Sequence, residues 1–356
     1  MRTLYIASTE TYVGKSAVSM GILQRMHNDG LRVGYMKPLS VSAVRTTESG
    51  TDEDTELIRQ TFNLSDPIKQ MAPVAITPSV IETIMQGKQV SYTQQVQDAF
   101  AAISENRDVV VVEGANTWAE GALVNLTAMQ VIELLNGAGL LVARYRSLHS
   151  VDIIVSVKRF IGDRLLGVLL NHIELPQLDY VRERVVPFLE QQGIPVLGLL
   201  PQDRLLASVT VRELYEHLGG ELIGEREWCN RPVESLMIGA MTSGPGLMHF
   251  RRNPNKAVIT GGDRIDLQLV ALETSTSVLI LTGDIGPSMR VIVRAEDVQV
   301  PIIVVPDDTL RAVERTEEVF GKVRFHEAPK LDRFTTLMNE HFNFARLYEA
   351  LGMSPR

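Results

Sequence analysis

The chain has 356 residues, 45% of them hydrophobic and 22% charged, and carries a formal net charge of −8. That balance argues against a basic nucleic-acid binder, no apolar run reaches the roughly 18 residues of a membrane span, and one cysteine, Cys229, excludes an internal disulfide framework or a cysteine-clustered zinc site. At roughly 150 residues per domain the length suggests two domains. Met1 to Ser8 lacks the apolar core of a secretory signal, so a cytoplasmic protein with small acidic or anionic ligands, and with no nucleic acid or membrane as partner, is expected.

In chain order, Leu4 to Ser8 is a short apolar strand. After Thr9 to Ser16 comes a helical pattern with Val18, Ile22, Leu23 and Met26 on one face, stopped at Asn28-Asp29-Gly30. Val33 to Met36 reads as a second strand, ending at Lys37-Pro38. Asp52 to Phe62 reads as a helix whose acidic opening suits the positive end of the dipole. Val109 to Val112 is a strand buried on both faces, closed by Glu113-Gly114. Further strands are Gly139 to Ala143, Leu166 to Leu170 and Val196 to Leu199. Strands alternating with helices imply an α/β fold with a parallel, doubly wound sheet over residues 1–205.

A second, smaller α/β domain is expected over residues 206–330. It has a helix at Thr210 to His217 and a unit beginning near Met237, with strands at Ala257 to Thr260, Val278 to Leu281 and Ile302 to Val305. Its other helices are Asp263 to Leu272 and Thr309 to Phe320. Residues 331–356 read as one amphipathic helix containing Phe334, Leu337, Phe342 and Leu347. Met237, Met241 and Met248 are expected to pack core or interface.

Gly14-Lys15-Ser16 sits where a strand feeds a helix, the place for a phosphate-binding loop. There backbone N–H groups and the helix dipole favour an anion. Lys15 would reach the terminal phosphates and the Ser16 hydroxyl would bind Mg²⁺. Asp54 and Glu113 would lie at the carboxyl edge of the sheet beside the loop, and magnesium takes one or two carboxylates plus phosphates and water. Asp52 and Glu53 are neighbouring alternatives. Lys37 ends a buried strand on the same edge, where it would either neutralise developing charge or form a structural ion pair.

The run Ser8-Thr9-Glu10-Thr11-Tyr12-Val13-Gly14-Lys15-Ser16 resembles the variant phosphate loop of dethiobiotin synthetases. The likeness continues through Gly34-Tyr35-Met36-Lys37-Pro38, Asp54, Val112-Glu113-Gly114-Ala115 and Gly167-Val168-Leu169-Leu170-Asn171. It implies that Thr11, Val13, Gly14, Lys15 and Ser16 cradle ATP, and that Ser16, Asp54 and Glu113 hold Mg²⁺. It further implies that Lys15 and Lys37 face the reacting groups and that Asn171 contacts the base of ATP or GTP. Amidating cobyrinate synthases and the N-terminal region of long phosphate acetyltransferases are relatives. Ser8 replaces the first glycine, and Glu10 stands where partition-type ATPases carry a lysine. Ala115 to Gly121 replaces the glycine-rich segment that meets the diamine substrate.

In the second half, Gly261-Gly262-Asp263-Arg264 follows a strand and opens a helix. It would be either an anion site gripped by Arg264 or a tight turn with Asp263 as cap and Arg264 in an ion pair. Ile238 to Met241, Ile259 to Asp266, Leu279 to Gly283 and Val305 to Thr309 together resemble a DRTGG domain. On that resemblance Gly262, Asp263, Arg264 and Thr282 form a candidate ligand site. The pairing of the two domains is similar to the N-terminal part of long phosphate acetyltransferases, whose acetyl-transferring domain lies beyond it, so transferase activity is not expected.

The resulting expectation is a Mg²⁺-dependent, ATP-binding protein with a regulatory or ligand-sensing second domain for an unknown small anionic or carboxylate ligand. It would either hydrolyse ATP or activate a carboxylate or carbamate. The alternatives are a non-catalytic nucleotide sensor regulating acetyl-phosphate or acetate metabolism, and a dethiobiotin synthetase with an added domain. Analogy with related P-loop proteins suggests a homo-oligomer.

Overall fold

The computed structural model describes residues 1–40, 52–239, 248, 250–251, 253–321 and 328–354. The chain forms two compact units, Met1–Gln202 with Phe325–Arg356, and Asp203–Arg324. Among the described residues no helix is long and apolar enough to cross a membrane.

Unit 1 is built on strands β1 (Arg2–Ser8), β2 (Val33–Met36), β3 (Leu39–Ser40), β4 (Val74–Ala75), β5 (Val109–Glu113), β6 (Ala138–Arg144), β7 (Leu165–Ile173) and β8 (Val196–Pro201). Six of them form one parallel sheet in the order β2-β5-β1-β6-β7-β8, while β3 pairs with β4 alone. The β-branched and leucine-rich runs Val109 to Val112 and Val168 to Leu170 are fully buried, because helices cover both faces. Strand β5 lies on one side of β1 and β6 on the other. The strand order therefore reverses around β1, and a crevice opens at the carboxyl ends there, where ligands bind in such sheets.

Helix α1 (Lys15–Asn28) leaves β1 through the loop of residues 9–14. Its apolar residues are too many for one face: Val18, Met20, Ile22, Leu23 and Met26 are all buried. Gly21 explains the second covered side, since a Cβ there would stand 3.2 Å from both Met338 and Phe334 of the helix Ala328–His341. Helix α2 (Glu53–Thr61) is capped by Asp52, whose carboxylate accepts from the Thr55 N–H.

The single C-terminal helix expected from the sequence is two, Ala328–His341 and Phe344–Ala350. The break is made by pairing with edge strand β8. Phe342 bridges Gly198, and the Asn343 N–H donates to the Leu197 carbonyl at 2.7 Å. The Asn343 side chain then caps the second helix by accepting from the Arg346 N–H. Arg346 grips Glu190 through two hydrogen bonds of 2.7 and 2.9 Å, which fixes that helix against the unit.

Unit 2 contributes β9 (Val209–Thr210), β10 (Glu221–Ile223), β11 (Pro232–Val233), β12 (Ser235–Ile238), β13 (Lys256–Gly261), β14 (Thr276–Thr282) and β15 (Ile302–Val304). Five form a sheet ordered β10-β15-β14-β13-β12, parallel except for the antiparallel edge strand β10, while β9 and β11 pair separately. Its two faces follow the period of two. Ala257, Ile259, Val278, Ile280 and Ile303 enter one core, and Val258, Leu279, Leu281, Ile302 and Val304 enter the other. Met237 is buried, but Met248 is 68% exposed and packs no core. Ala240 and Met241 lie outside the described residues.

Gly262 is required by a close approach of backbone. A Cβ there would stand 2.1 Å from the Ile285 carbonyl oxygen, on the loop that follows β14. Gly262→Ala should therefore destabilise unit 2 by about 1–3 kcal/mol, the usual cost of overpacking. The chain has two tryptophans, Trp118 in unit 1 and Trp228 in unit 2. Urea unfolding followed by Trp228 should shift to lower denaturant, and an unshifted midpoint would contradict the packing argument.

Candidate functional site

The loop after β1 is shaped by residues with left-handed backbone. Tyr12 has φ 57° and Gly14, the residue before α1, has φ 88°. Glycine is needed at 14 for a second reason: a Cβ would come within 2.7 Å of the Asn171 carboxamide. Asn171, at the carboxyl end of β7, donates to the Val13 carbonyl at 2.8 Å, and its Oδ1 accepts from the His172 N–H. Its carboxamide thus braces the loop from behind. Val13 is buried and Thr11 is exposed.

On the other side of β1, the register pairs Ile6 with Glu113, which brings the end of β5 beside the start of α1. The Ser16 hydroxyl donates to Glu113 Oε1 at 2.8 Å and lies 3.4 Å from Asp54 Oδ2. Lys15 Nζ stands 4.0 Å from the same Glu113 oxygen. The second Glu113 oxygen accepts from the Tyr35 hydroxyl at 3.1 Å, so this fully buried carboxylate has both oxygens engaged. Burial raises the Tyr35 pKa well above the ordinary phenol value, and the nearby Glu113 charge adds to it. Tyr35 is therefore a donor throughout the working range.

Lys37 Nζ pairs with Asp52 Oδ2 at 2.8 Å and with Asp54 Oδ2 at 3.5 Å. Asp52 also accepts from the Ser40 hydroxyl at 2.9 Å and from the Thr55 N–H and hydroxyl at 3.0 Å. Burial alone would depress the Lys37 pKa, but Glu113, Asp52 and Asp54 outweigh it and raise the value. Lys15 shows the opposite outcome, since desolvation exceeds the pull of Glu113 and lowers its pKa. The two lysines differ because only Lys37 has a short ion pair.

The structure thus gathers Lys15, Ser16, Lys37, Asp54 and Glu113 at one end of the sheet. Asp52 and Tyr35 join them as the groups that hold Lys37 and Glu113. A third set lies on the β6 side. Arg144 donates to the Tyr12 carbonyl at 2.8 Å, and Glu10 Oε1 sits 3.6 Å from Arg144 and 3.4 Å from Arg146. Residues 144 and 146 carried no sequence signal, because their partner is over a hundred positions away.

His172 lies close to the same arginines. Burial, with the charges of Arg144 and Arg146, lowers its pKa from 6.5 to about 4. The folded protein keeps it neutral where the unfolded chain takes a proton. Stability is therefore lost as pH falls from about 6.5 toward 4, by up to about 3 kcal/mol. His172 has φ 56°, which asparagine tolerates. His172→Asn should flatten that window in denaturation at pH 7 and pH 5, and an unchanged difference would refute the assignment.

In unit 2 three of the four candidate residues, Gly262, Arg264 and Thr282, have local partners. Gly262 sits under Ile285, and Asp263 is exposed. Arg264 pairs with Asp266 at 3.2 Å, and the buried Thr282 hydroxyl meets Thr309 at 3.0 Å. The residue before the helix is Arg264, so Asp263 does not cap it.

Among curated proteins, the chain is 23% identical over 376 residues to phosphate acetyltransferase of Pseudomonas putida, covering 100% of this chain and 52% of that one. It is 24% identical over 204 residues to ATP-dependent dethiobiotin synthetase of Methanococcus vannielii, covering 55% of this chain and 92% of that one. The chain thus spans about half the length of the phosphate acetyltransferases it matches. Among solved structures, the MinD cell division protein of Aquifex aeolicus aligns with TM-score 0.37 and 13% identity, over 58% of this chain and 84% of that one. A DRTGG domain matches residues 213–319. The family described as an AAA domain matches residues 2–210, the whole stretch that carries the sheet and the loop. The chain therefore belongs to that family of P-loop proteins, with a DRTGG domain following its nucleotide-binding-type fold.

Proposed function

We propose that unit 1 binds ATP together with Mg²⁺ and uses it to activate a carboxylate or carbamate, with unit 2 as a regulatory or ligand-sensing domain. The observation that carries this reading is the meeting of two carboxylates, Asp54 and Glu113, on the Ser16 hydroxyl at the start of α1. That all-oxygen set suits a hard divalent cation, which completes its shell with phosphate oxygens and water. Mg²⁺ bound there would offset charge on the terminal phosphates.

The protein's own groups have separate tasks in this reading. Backbone N–H groups at the start of α1 and the Lys15 ammonium receive the phosphates. Tyr35 fixes Glu113 so that one oxygen faces Ser16. Lys37, kept protonated by Asp52, stabilises negative charge as it develops and does not act as a base. Such chemistry rests on positioning and electrostatics.

ADP release from Mg·ATP by the pure protein tests the reading, with Lys15→Ala as the blank. Small carboxylates, a diamine with bicarbonate, and acetyl phosphate serve as additives. Turnover that needs Lys15 and rises with one additive supports the proposal and gives the substrate class. Binding of ATP without turnover would transfer the function to nucleotide sensing.

A further inference from the structure

The parallel strands of unit 2 also have an amino-terminal end, opposite the Gly261-Gly262 turn, and a cleft of about 490 Å³ opens there. Its wall includes Arg231, Asn255, Glu273, Ser275 and Arg294. The volume is within the range of small-molecule sites. Two of the lining side chains are guanidinium groups and one is a carboxylate, on a chain whose net charge is −8.

Neither arginine forms an ion pair with an acid among the described residues. Arg231 reaches the Gln299 carboxamide oxygen at 3.5 Å, at the limit of a hydrogen bond. Arg294 sits in the last turn of the helix Met289–Asp297, where the helix dipole favours a cation and holds it on the cleft wall. A third positive charge stands behind the wall. The fully buried Lys256 donates from Nζ to the Thr274 hydroxyl and the Ser275 carbonyl, each at 2.9 Å. These contacts hold the turn that lines the cleft. Burial lowers the Lys256 pKa to about 8, so its ammonium persists near neutral pH. Guanidinium forks match the paired oxygens of phosphate or carboxylate groups.

We propose that this cleft binds a small dianion, with one oxyanion group on Arg231 and the other on Arg294. Phosphorylated metabolites and dicarboxylates share that chemistry. The cleft belongs to unit 2 and does not rest on the reading given for the P-loop of unit 1.

The test uses the full chain carrying Lys15→Ala, with inorganic pyrophosphate and succinate as probes in calorimetry and hydrogen exchange. One equivalent of either probe should bind and protect the 273–277 turn, and the tighter probe identifies the source. Arg231→Gln and Arg294→Gln should each weaken binding by about tenfold or more, as expected when a charge-assisted hydrogen bond is lost. Glu273→Gln should tighten it. No binding of either probe, affinity unchanged by both arginine substitutions, or protection confined to residues 9–16 would overturn the proposal.

Discussion

Lys15→Ala is expected to weaken Mg·ATP binding by about a hundredfold or more, the scale of losing a charge-assisted contact to phosphate in a dry site. Folding should survive the change. The Lys15 ammonium is held at a desolvation cost, as its lowered pKa shows, and its nearest carboxylate is 4.0 Å away. Glu113 keeps the Ser16 and Tyr35 hydroxyls as donors after the substitution. Removing the lysine should therefore leave urea unfolding of unit 1, read by Trp118 with Trp228→Phe in place, within about 1 kcal/mol of the parent. Calorimetric titration with Mg·ATP decides the matter. Equal affinity in the variant would remove the phosphate site from this loop.

Asp52→Ala should have the largest effect on stability, about 3–5 kcal/mol, since it strips a lysine whose side chain is only 12% exposed of its short ion pair. The same change removes the cap of α2 and the acceptor for Ser40. Asp52→Asn separates these roles. It can still accept from Thr55 but cannot pair with Lys37, so it should cost less than alanine. Any turnover should fall further than ATP affinity. The Lys37 pKa is raised, so its contribution to stability is complete below about pH 10.5 and lost as pH rises through the folded value. The Asp52 pKa is lowered against its burial, mainly by Lys37. Its contribution is present above about pH 3.8 and lost as pH falls through the folded value. The pair therefore acts across the ordinary pH range. Equal stability of the alanine variant and the parent at pH 7 would show that Asp54, at 3.5 Å, is sufficient for Lys37.

Local sequence carried the frame of unit 1 because its signals are local. Four valines make a buried strand, and Val33–Met36 begins and ends where its apolar run does. Lys15 and Ser16 were visible as a strand-to-helix junction, and Asp54 and Glu113 as charges at strand or helix ends. What stayed hidden depends on register between distant segments. Nothing near Tyr35 announces that β2 lies beside β5, which delivers its hydroxyl to Glu113. Asp52 was legible as a helix-opening acid, but nothing in the local sequence announces its contact with Lys37. The short antiparallel strand β10 has only three residues and no periodicity to read. The break at Asn343 was equally silent, since the partner that stops the helix is Leu197.

The two-segment composition of unit 1 has a consequence for synthesis. Residues 328–350 complete a core whose other half, α1, emerges more than three hundred residues earlier. Unit 2 is continuous and can finish folding while unit 1 still waits for the strap that covers Gly21 and pairs with β8. Until then, the apolar face of α1 is open to water and to other nascent chains. A fragment ending at residue 202 would remain in that state permanently, so the P-loop unit is best excised with its distant helices joined back on.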